Sequence, residues 1–148
     1  MKELAAIADE ATEAHLAFLI IGGLAVNAYG HTRTTYDADL LIPRRDLPAW
    51  KALLQKFGSV VRHEQENFTQ FQTPLHGMRP VDLMLVNDRT FEKLSRAARL
   101  LQIAGRPQPV PAPPAPGCPQ AARLETWTRL APGSGYVGHC GGDAVAKD

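Results

Sequence analysis

Three aspartates carry the chemical interest of this sequence. Asp37 and Asp39 are separated by one alanine, and Asp82 stands alone in the apolar run Val81-Asp82-Leu83-Met84-Leu85-Val86. A strand sends alternate side chains to one face, so Asp37 and Asp39 at the head of a strand over Asp37–Ile42 point the same way, with Cα atoms roughly 6.5–7 Å apart. Two carboxylates at that spacing suit a hard divalent cation such as Mg2+, which takes oxygen ligands. Two-metal phosphoryl chemistry needs ions about 3.5–4 Å apart under shared carboxylates, and a third carboxylate from a neighbouring strand completes the cage. Asp82 is the candidate for that place, because a lone charge in an apolar strand is costly unless it is paired or coordinated.

The complementary half lies upstream, in Leu19-Ile20-Ile21-Gly22-Gly23. A glycine pair after an apolar run lets the backbone come close to a ligand. The N–H groups opening the following helix offer an anion site for phosphates. Arg33, Thr34 and Thr35 precede the first aspartate and are candidates to contact phosphate or to hold the loop. Taken singly, each feature has an ordinary explanation: a structural turn, a solvated strand edge, a surface arginine. Their order and spacing along one chain are what single out a metal–nucleotide site. His31, His63 and His76 show no metal-ligand spacing and read as loop or surface residues.

The elements that must position these groups follow from periodicity. Leu4, Ile7, Ala8, Ala11 and Ala14 make the apolar stripe of a helix over Glu3–Ala14. A buried strand is expected over His15–Ile21, a short helix over Leu24–Tyr29 capped by Gly30, and the aspartate strand over Asp37–Ile42, which Pro43 ends. Asp46 reads as the N-cap of a helix carrying Trp50, Leu53, Leu54 and Phe57. Ser59–His63 and Asn67–Thr73 read as antiparallel strands around Glu64-Gln65-Glu66, followed by the Asp82 strand over Val81–Val86. Asn87-Asp88-Arg89 reads as a turn, Thr90–Leu101 as a helix, and Leu101–Ala104 as a short strand. The fold class is therefore α/β (α+β), a mixed sheet flanked by helices.

The chain has 148 residues, 45% of them hydrophobic, with a net charge of +1. That suffices for one core and gives no electrostatic case for duplex DNA or a membrane surface. No apolar run approaches the roughly 20 residues of a bilayer span. Asp9, Glu10 and Glu13 interrupt the N-terminus too early for a signal peptide. A cytoplasmic location is expected, with Cys118 and Cys140 reduced.

The pattern Gly22-Gly23, helix, Arg33-x-Thr35, Asp37-x-Asp39-Leu40 and, about 40 residues on, Val81-Asp82-Leu83 resembles the nucleotidyltransferase superfamily that includes DNA polymerase β. Within it, the chain looks most like the AbiEii-like toxin nucleotidyltransferases of type IV toxin–antitoxin systems, over about residues 1–112. The resemblance implies the nucleotidyltransferase fold and Mg2+ held by Asp37, Asp39 and Asp82. It gives Asp82 a further part in activating the attacking hydroxyl, and it implies phosphate contact at Gly22 and Gly23. It implies an NTP as donor, a tRNA, a protein or a small molecule as acceptor, and an antitoxin as partner. Gly23 stands where many members have serine, so a hydroxyl contact to phosphate is missing from that position. Two other functions fit the same residues: an inactive nucleotide-binding or toxin–antitoxin interaction module, and a metal-dependent phosphohydrolase.

From Arg106 onward the composition changes. Eight of the 12 prolines and six of the 12 glycines fall in residues 106–148, and hydrophobic periodicity is lost. Such a segment buries too little apolar surface to offset its chain entropy. The expected organisation is a nucleotidyltransferase core over residues 1–105 and a disordered tail over 106–148. Val110-Pro111-Ala112-Pro113 matches the run-in to the C-terminal helices of the resembled family, and then the likeness stops. Read one base forward, codons allowed for Ala115 to Thr126 spell His-Leu-Ala-Ala-Leu-Lys-Leu-His-Ala-Leu-Lys-His, close to the family's helix. This predicts a frameshift near Pro113–Ala115. Sequencing the gene tests it: the plus-one frame must encode that helix, and any other reading there ends the idea.

Overall fold

The computed structural model describes residues 2–73 and 79–113. The expected tail beyond residue 113, with the frameshift reading attached to it, and His76 lie outside the described residues. In chain order the elements are α1 (Lys2–Glu13), β1 (Leu19–Ile21), α2 (Gly22–Ala28), β2 (Ala38–Pro43), a 3-10 turn (Arg44–Asp46) and α3 (Leu47–Lys56). There follow β3 (Val60–Gln65), β4 (Phe68–Gln72), β5 (Val81–Val86), α4 (Asp88–Arg96), β6 (Arg99–Ile103) and β7 (Arg106–Val110). Five strands form one mixed sheet in the order β1-β2-β5-β4-β3, and β6-β7 is a separate hairpin. Among the described residues only the β2–β5 pair is parallel; β1–β2, β4–β5 and β3–β4 are antiparallel.

Strand alternation sorts the core into two layers. One face presents Ile20, Leu40, Ile42, Phe71, Val81, Leu83 and Leu85 to α1, α2 and α3, where Leu4, Ile7, Ala11, Leu24, Trp50 and Leu54 close the main cluster. Phe18 meets Trp50 edge-on at 5.7 Å between ring centroids, worth about 0.5–1.5 kcal/mol beyond the burial itself. The opposite face carries Leu19, Ile21 and Leu41 under Phe91, with Met84, Val86, Leu94 and Ala98 around them. Asp39 is in phase with Leu41, and Asp82 with Met84, so both aspartates emerge on this second face, at the N-terminal ends of their strands.

Three helices end in one motif. At α1, His15 N–H donates to Thr12 O at 3.1 Å and Leu16 N–H to Ala11 O at 2.8 Å. The same pair of bonds recurs at Gly30 and His31 after α2, and at Gly58 and Ser59 after α3. This is the Schellman arrangement, whose C′ residue is left-handed. Gly30 and Gly58 fill that place in α2 and α3, whereas α1 uses His15 with φ 56°. That turn corrects the expected strand: His15 to Phe18 belong to the helix exit, and β1 begins only at Leu19.

Other departures have similarly local causes. Asp46 makes no side-chain capping bond, because the chain enters α3 through a 3-10 turn. β3 runs to Gln65, so Glu64 and Gln65 are paired rather than looped, and the hairpin turns at Glu66-Asn67. Asn87 is an N-cap rather than a turn residue: its side chain accepts from Thr90 N–H at 2.7 Å, and α4 starts at Asp88. α4 stops at Arg96, and Leu100 and Leu101 lie in β6.

The expected core boundary at residue 105 falls inside a hairpin. Ala104 and Gly105 both have positive φ, 56° and 78°, as a two-residue type I′ turn requires. Pro107 and Pro109 pair with Gln102 and Leu100, alternating with Gln108 and Val110. In a two-residue hairpin these alternate positions point their backbone nitrogens away from the partner strand, so the missing N–H groups leave the ladder intact. Val110 is fully buried in the main core, and Tyr29 donates its hydroxyl to Pro111 O at 2.8 Å. The segment that composition marks as tail thus contributes a strand before the described residues end.

A left-handed non-glycine residue costs about 1–2 kcal/mol. His15→Gly is therefore expected to raise unfolding stability by about 0.5–1 kcal/mol, allowing for the entropy of the added glycine. Gly30→Ala is expected to lower it by a similar amount. Urea denaturation checks both; no gain from His15→Gly would contradict the strained C-cap.

Candidate metal–nucleotide site

The register of the parallel pair builds the site. Asp39 is directly opposite Asp82, and on the other side Ile21 is directly opposite Asp39. Gly22 therefore starts α2 right beside the aspartates. Asp37 lies one residue before β2 and, two residues from Asp39, faces the same way. One carboxylate oxygen from each of Asp37, Asp39 and Asp82 falls within 4.8 Å of the others. Asp82, more than 40 residues on in sequence, joins Asp37 and Asp39 because two strand starts meet beside the end of a third strand.

The glycine pair is required here by space. A Cβ on Gly22 would sit 1.9 Å from Asp39 Oδ2, and Gly22 has φ +65°. A Cβ on Gly23 would sit 2.6 Å from the Cβ and Oγ1 of Thr35. Real side chains do not approach so closely, so the α2 backbone packs directly on Asp39 and on the loop that carries Thr35. The Gly23 N–H favours the ionised form of the Asp39 carboxyl. The glycines belong to the first turn of α2, where the sequence suggested a turn before a helix.

The loop from 31 to 37 is clamped by side chains. Asn27 forms two bonds to the backbone of Arg33, accepting from its N–H at 2.7 Å and donating to its carbonyl at 2.9 Å. Arg79 donates to the Thr35 carbonyl. Thr35 Oγ1 reaches Asp37 Oδ1 at 3.2 Å. Arg33 and Thr34 are exposed on this loop, and the Arg33 charge is felt at Asp39. Thr35, rather than Thr34, carries the hydroxyl that touches the triad.

Electrostatics mark the cluster as unfinished. Burial, then the charges of Asp37 and Asp82, push the Asp39 carboxyl up to about 7, against the pull of Arg33 and of Gly23 N–H. Burial foremost, with Asp37 adding to it, raises Asp82 as well, and the hydrogen bond from Gln70 opposes this. Asp82 is 7% exposed, and its Oδ1 has no hydrogen-bond partner among the described residues. A buried carboxylate oxygen without a partner is costly, and like charges this close raise one another's pKa. A divalent cation meets both needs, and an all-oxygen donor set suits Mg2+ or a similar hard ion. The residues present therefore fit such an ion.

Gln70, Asn27 and Arg79 were not foreseen. Gln70 and Asp82 are partners across β4 and β5, and only the strand register shows it. Asn27 and Arg79 act on backbone groups of a loop, which leaves no periodic signal. No family model matches the chain, and no curated protein matches it by sequence. Solved structures do match. The crystal structure of ANT(2")-Ia with adenylyl-2"-tobramycin superposes with a TM-score of 0.61 at 23% identity, over 75% of this chain and 68% of that one. The lincosamide antibiotic adenylyltransferase LnuA, lincomycin-bound, gives 0.60 at 16% identity, over 75% and 79%. TM1012 from Thermotoga maritima, described as a candidate nucleotidyltransferase, gives 0.56 at 18%, over 75% and 76%. The mixed sheet with its flanking helices is the nucleotidyltransferase fold.

The raised Asp39 carboxyl links stability to pH. A carboxyl whose folded-state pKa exceeds its unfolded value near 3.9 binds more protons when folded. Its contribution is full below the unfolded value and is lost as pH rises through about 7. The metal-free protein is expected to lose melting temperature from pH 5 to pH 8, and Asp39→Asn to flatten that slope. Mg2+ is expected to raise the melting temperature more at pH 8 than at pH 5.5. Thermal melts across pH, with and without metal, check this; a slope unchanged in Asp39→Asn would refute it.

Proposed function

We propose that this chain is a nucleotidyltransferase core that binds an NTP with Mg2+ and transfers the nucleoside monophosphate to an acceptor hydroxyl. The convergence of Asp37, Asp39 and Asp82, with the Gly22-Gly23 backbone packed on Asp39, is the observation that carries this reading. In the reaction the acceptor oxygen bonds to the α-phosphorus, the bond from that phosphorus to the bridging oxygen breaks, and pyrophosphate leaves.

Asp37, Asp39 and Asp82 hold the cation, whose bound charge neutralises the phosphates and favours the ionised acceptor hydroxyl. Asp82, whose carboxyl is raised above the usual range chiefly by burial, takes up the proton of the attacking hydroxyl. Gly22 and Gly23 leave the space beside Asp39 free of side chains, so the triphosphate lies against backbone. Arg33 and Thr34, exposed at the rim, serve the phosphates by charge and hydrogen bonding. Rate enhancement comes from positioning and charge neutralisation rather than from a covalent intermediate on the protein.

The acceptor separates two finer readings. The resemblance to AbiEii-like toxins supports a tRNA or a protein acceptor and an antitoxin partner. The shared fold with structures that hold adenylyl-2"-tobramycin and lincomycin supports a hydroxyl on a small molecule. Among the described residues, no helix is long and apolar enough to cross a membrane.

Incubation with labelled NTP, Mg2+ and each acceptor class distinguishes the outcomes. Pyrophosphate release with label on the acceptor is expected. Free phosphate instead would indicate a phosphohydrolase, and nucleotide binding without transfer an inactive binding module. Asp37→Asn and Asp39→Asn are each expected to lower transfer by at least about a hundredfold, the cost of losing transition-state charge stabilisation, while circular dichroism stays unchanged. Transfer retained in the double variant would sink the metal mechanism.

A further inference from the structure

Gln70 lies in β4, directly across from Asp82 in the antiparallel β4–β5 ladder. Residues opposite one another in a ladder project to the same face. Pairing therefore forms one row across the second face of the sheet: Ile21, Asp39, Asp82, Gln70 and, from β3, His63. The Gln70 amide is the one neutral donor that this row places next to an aspartate. Its Nε2 donates to Asp82 Oδ2 at 3.4 Å. The other oxygen, Oδ1, is buried without a partner among the described residues and belongs to the carboxylate that joins Asp37 and Asp39.

We propose that Gln70 is a positioning residue for the third carboxylate: by holding Asp82 Oδ2 it fixes the plane of the carboxylate and turns Oδ1 toward the cation site. The inference rests on the metal reading of the triad and goes beyond it by assigning the part that aims one ligand. Outer groups that hydrogen-bond a ligating carboxylate fix its orientation and typically change metal affinity 10–100-fold. The residue type matters physically. A lysine or arginine at this position would take Asp82 into an ion pair and compete with the cation. An acid would add a fourth negative charge and crowd the site further. A carboxamide gives one hydrogen bond with no net charge, so Asp82 keeps its full charge for the ion.

Gln70 is half-buried rather than a core residue, so a neutral replacement of similar length keeps the strand. The experiment compares wild type, Gln70→Met, Gln72→Met and Asp82→Asn by Mn2+ binding, followed by electron paramagnetic resonance on the full chain without nucleotide. Gln72 is the control, because it lies on the same strand and face but pairs with Val60, away from the aspartates. Gln70→Met is expected to weaken Mn2+ binding about tenfold with an unchanged melting temperature, and Gln72→Met to leave it within twofold. In the transfer assay, Gln70→Met should raise the metal concentration for half-maximal rate while kcat at saturating metal stays within a few-fold. A folded Gln70→Met variant that binds Mn2+ like wild type, while Asp82→Asn does not, overturns this proposal alone. If wild type fails to bind Mn2+, or Asp82→Asn binds it equally well, the metal reading falls and this inference with it.

Discussion

The parallel pairing of β2 with β5 is the constraint on which the rest of the structure depends. It sets Ala38 beside Val81 and Asp39 beside Asp82, and it is the one parallel contact among the described strands. A slip of one residue would turn Asp82 to the opposite face, into the layer occupied by Leu40, Leu83 and Trp50. That outcome would bury a charge among apolar groups and expose Val81 and Leu83 in exchange. The apolar pattern of β5 therefore enforces the register, and the register delivers the carboxylate. Core packing and site assembly are the same event here, which makes the site rigid wherever it is built on the ladder.

The cost of this geometry is repulsion among three like charges at the end of a sheet. The fold answers it with small local devices instead of a full counter-charge. Gly23 N–H serves Asp39, Thr35 serves Asp37, Gln70 serves Asp82, and Arg33 acts on Asp39 from an exposed loop. Each is a single hydrogen bond or a distant charge. Together they leave Asp39 pushed up to about 7 and one oxygen of Asp82 without a partner. A buried arginine would have removed the problem and with it the capacity to bind a cation. On the proposed metal reading the partial answer is the functional one, since a site that accepts a divalent ion cannot be neutral without it.

Much of this was legible in the sequence, for reasons that can be traced. The Asp-x-Asp spacing at a strand start fixes a common face by backbone geometry alone, and Asp82 stands out because its neighbours are apolar. The strand over Val81–Val86 matches its observed bounds, since an apolar run between Pro80 and Asn87 has clear limits. What was not legible depends on pairing or on turn chemistry. Gln70 looks like any strand polar residue until the register puts it across from Asp82. The β6-β7 hairpin was hidden because its turn is Ala-Gly rather than Asn-Gly, and because two prolines ordinarily argue against a strand. Their spacing of two is what makes them harmless, and it appears only when the partner strand is known. His15 read as a helix-end residue, but its left-handed turn was not legible, because it uses a side chain where glycine usually signals the end.

The three carboxylates differ in how firmly they are held, and this bears on how the site would take its ligands. Asp39 and Asp82 stand on adjacent ladder positions of the central pair, so moving either means breaking sheet hydrogen bonds. Asp37 precedes β2 and stands at the end of the 31–37 loop, which is fixed by Asn27 to Arg33, by Arg79 to the Thr35 carbonyl and by Thr35 itself. These contacts are side-chain hydrogen bonds at an exposed or half-exposed loop, each worth only about 0.5–1.5 kcal/mol net. Two carboxylates are thus set by the sheet and one by a loop that also carries Arg33 and Thr34. Filling the site would draw the loop aspartate toward a fixed pair, carrying the loop's basic and hydroxyl groups with it. In the proposed reaction the sheet would supply the accuracy of the site, and the loop whatever adjustment a bound triphosphate would require.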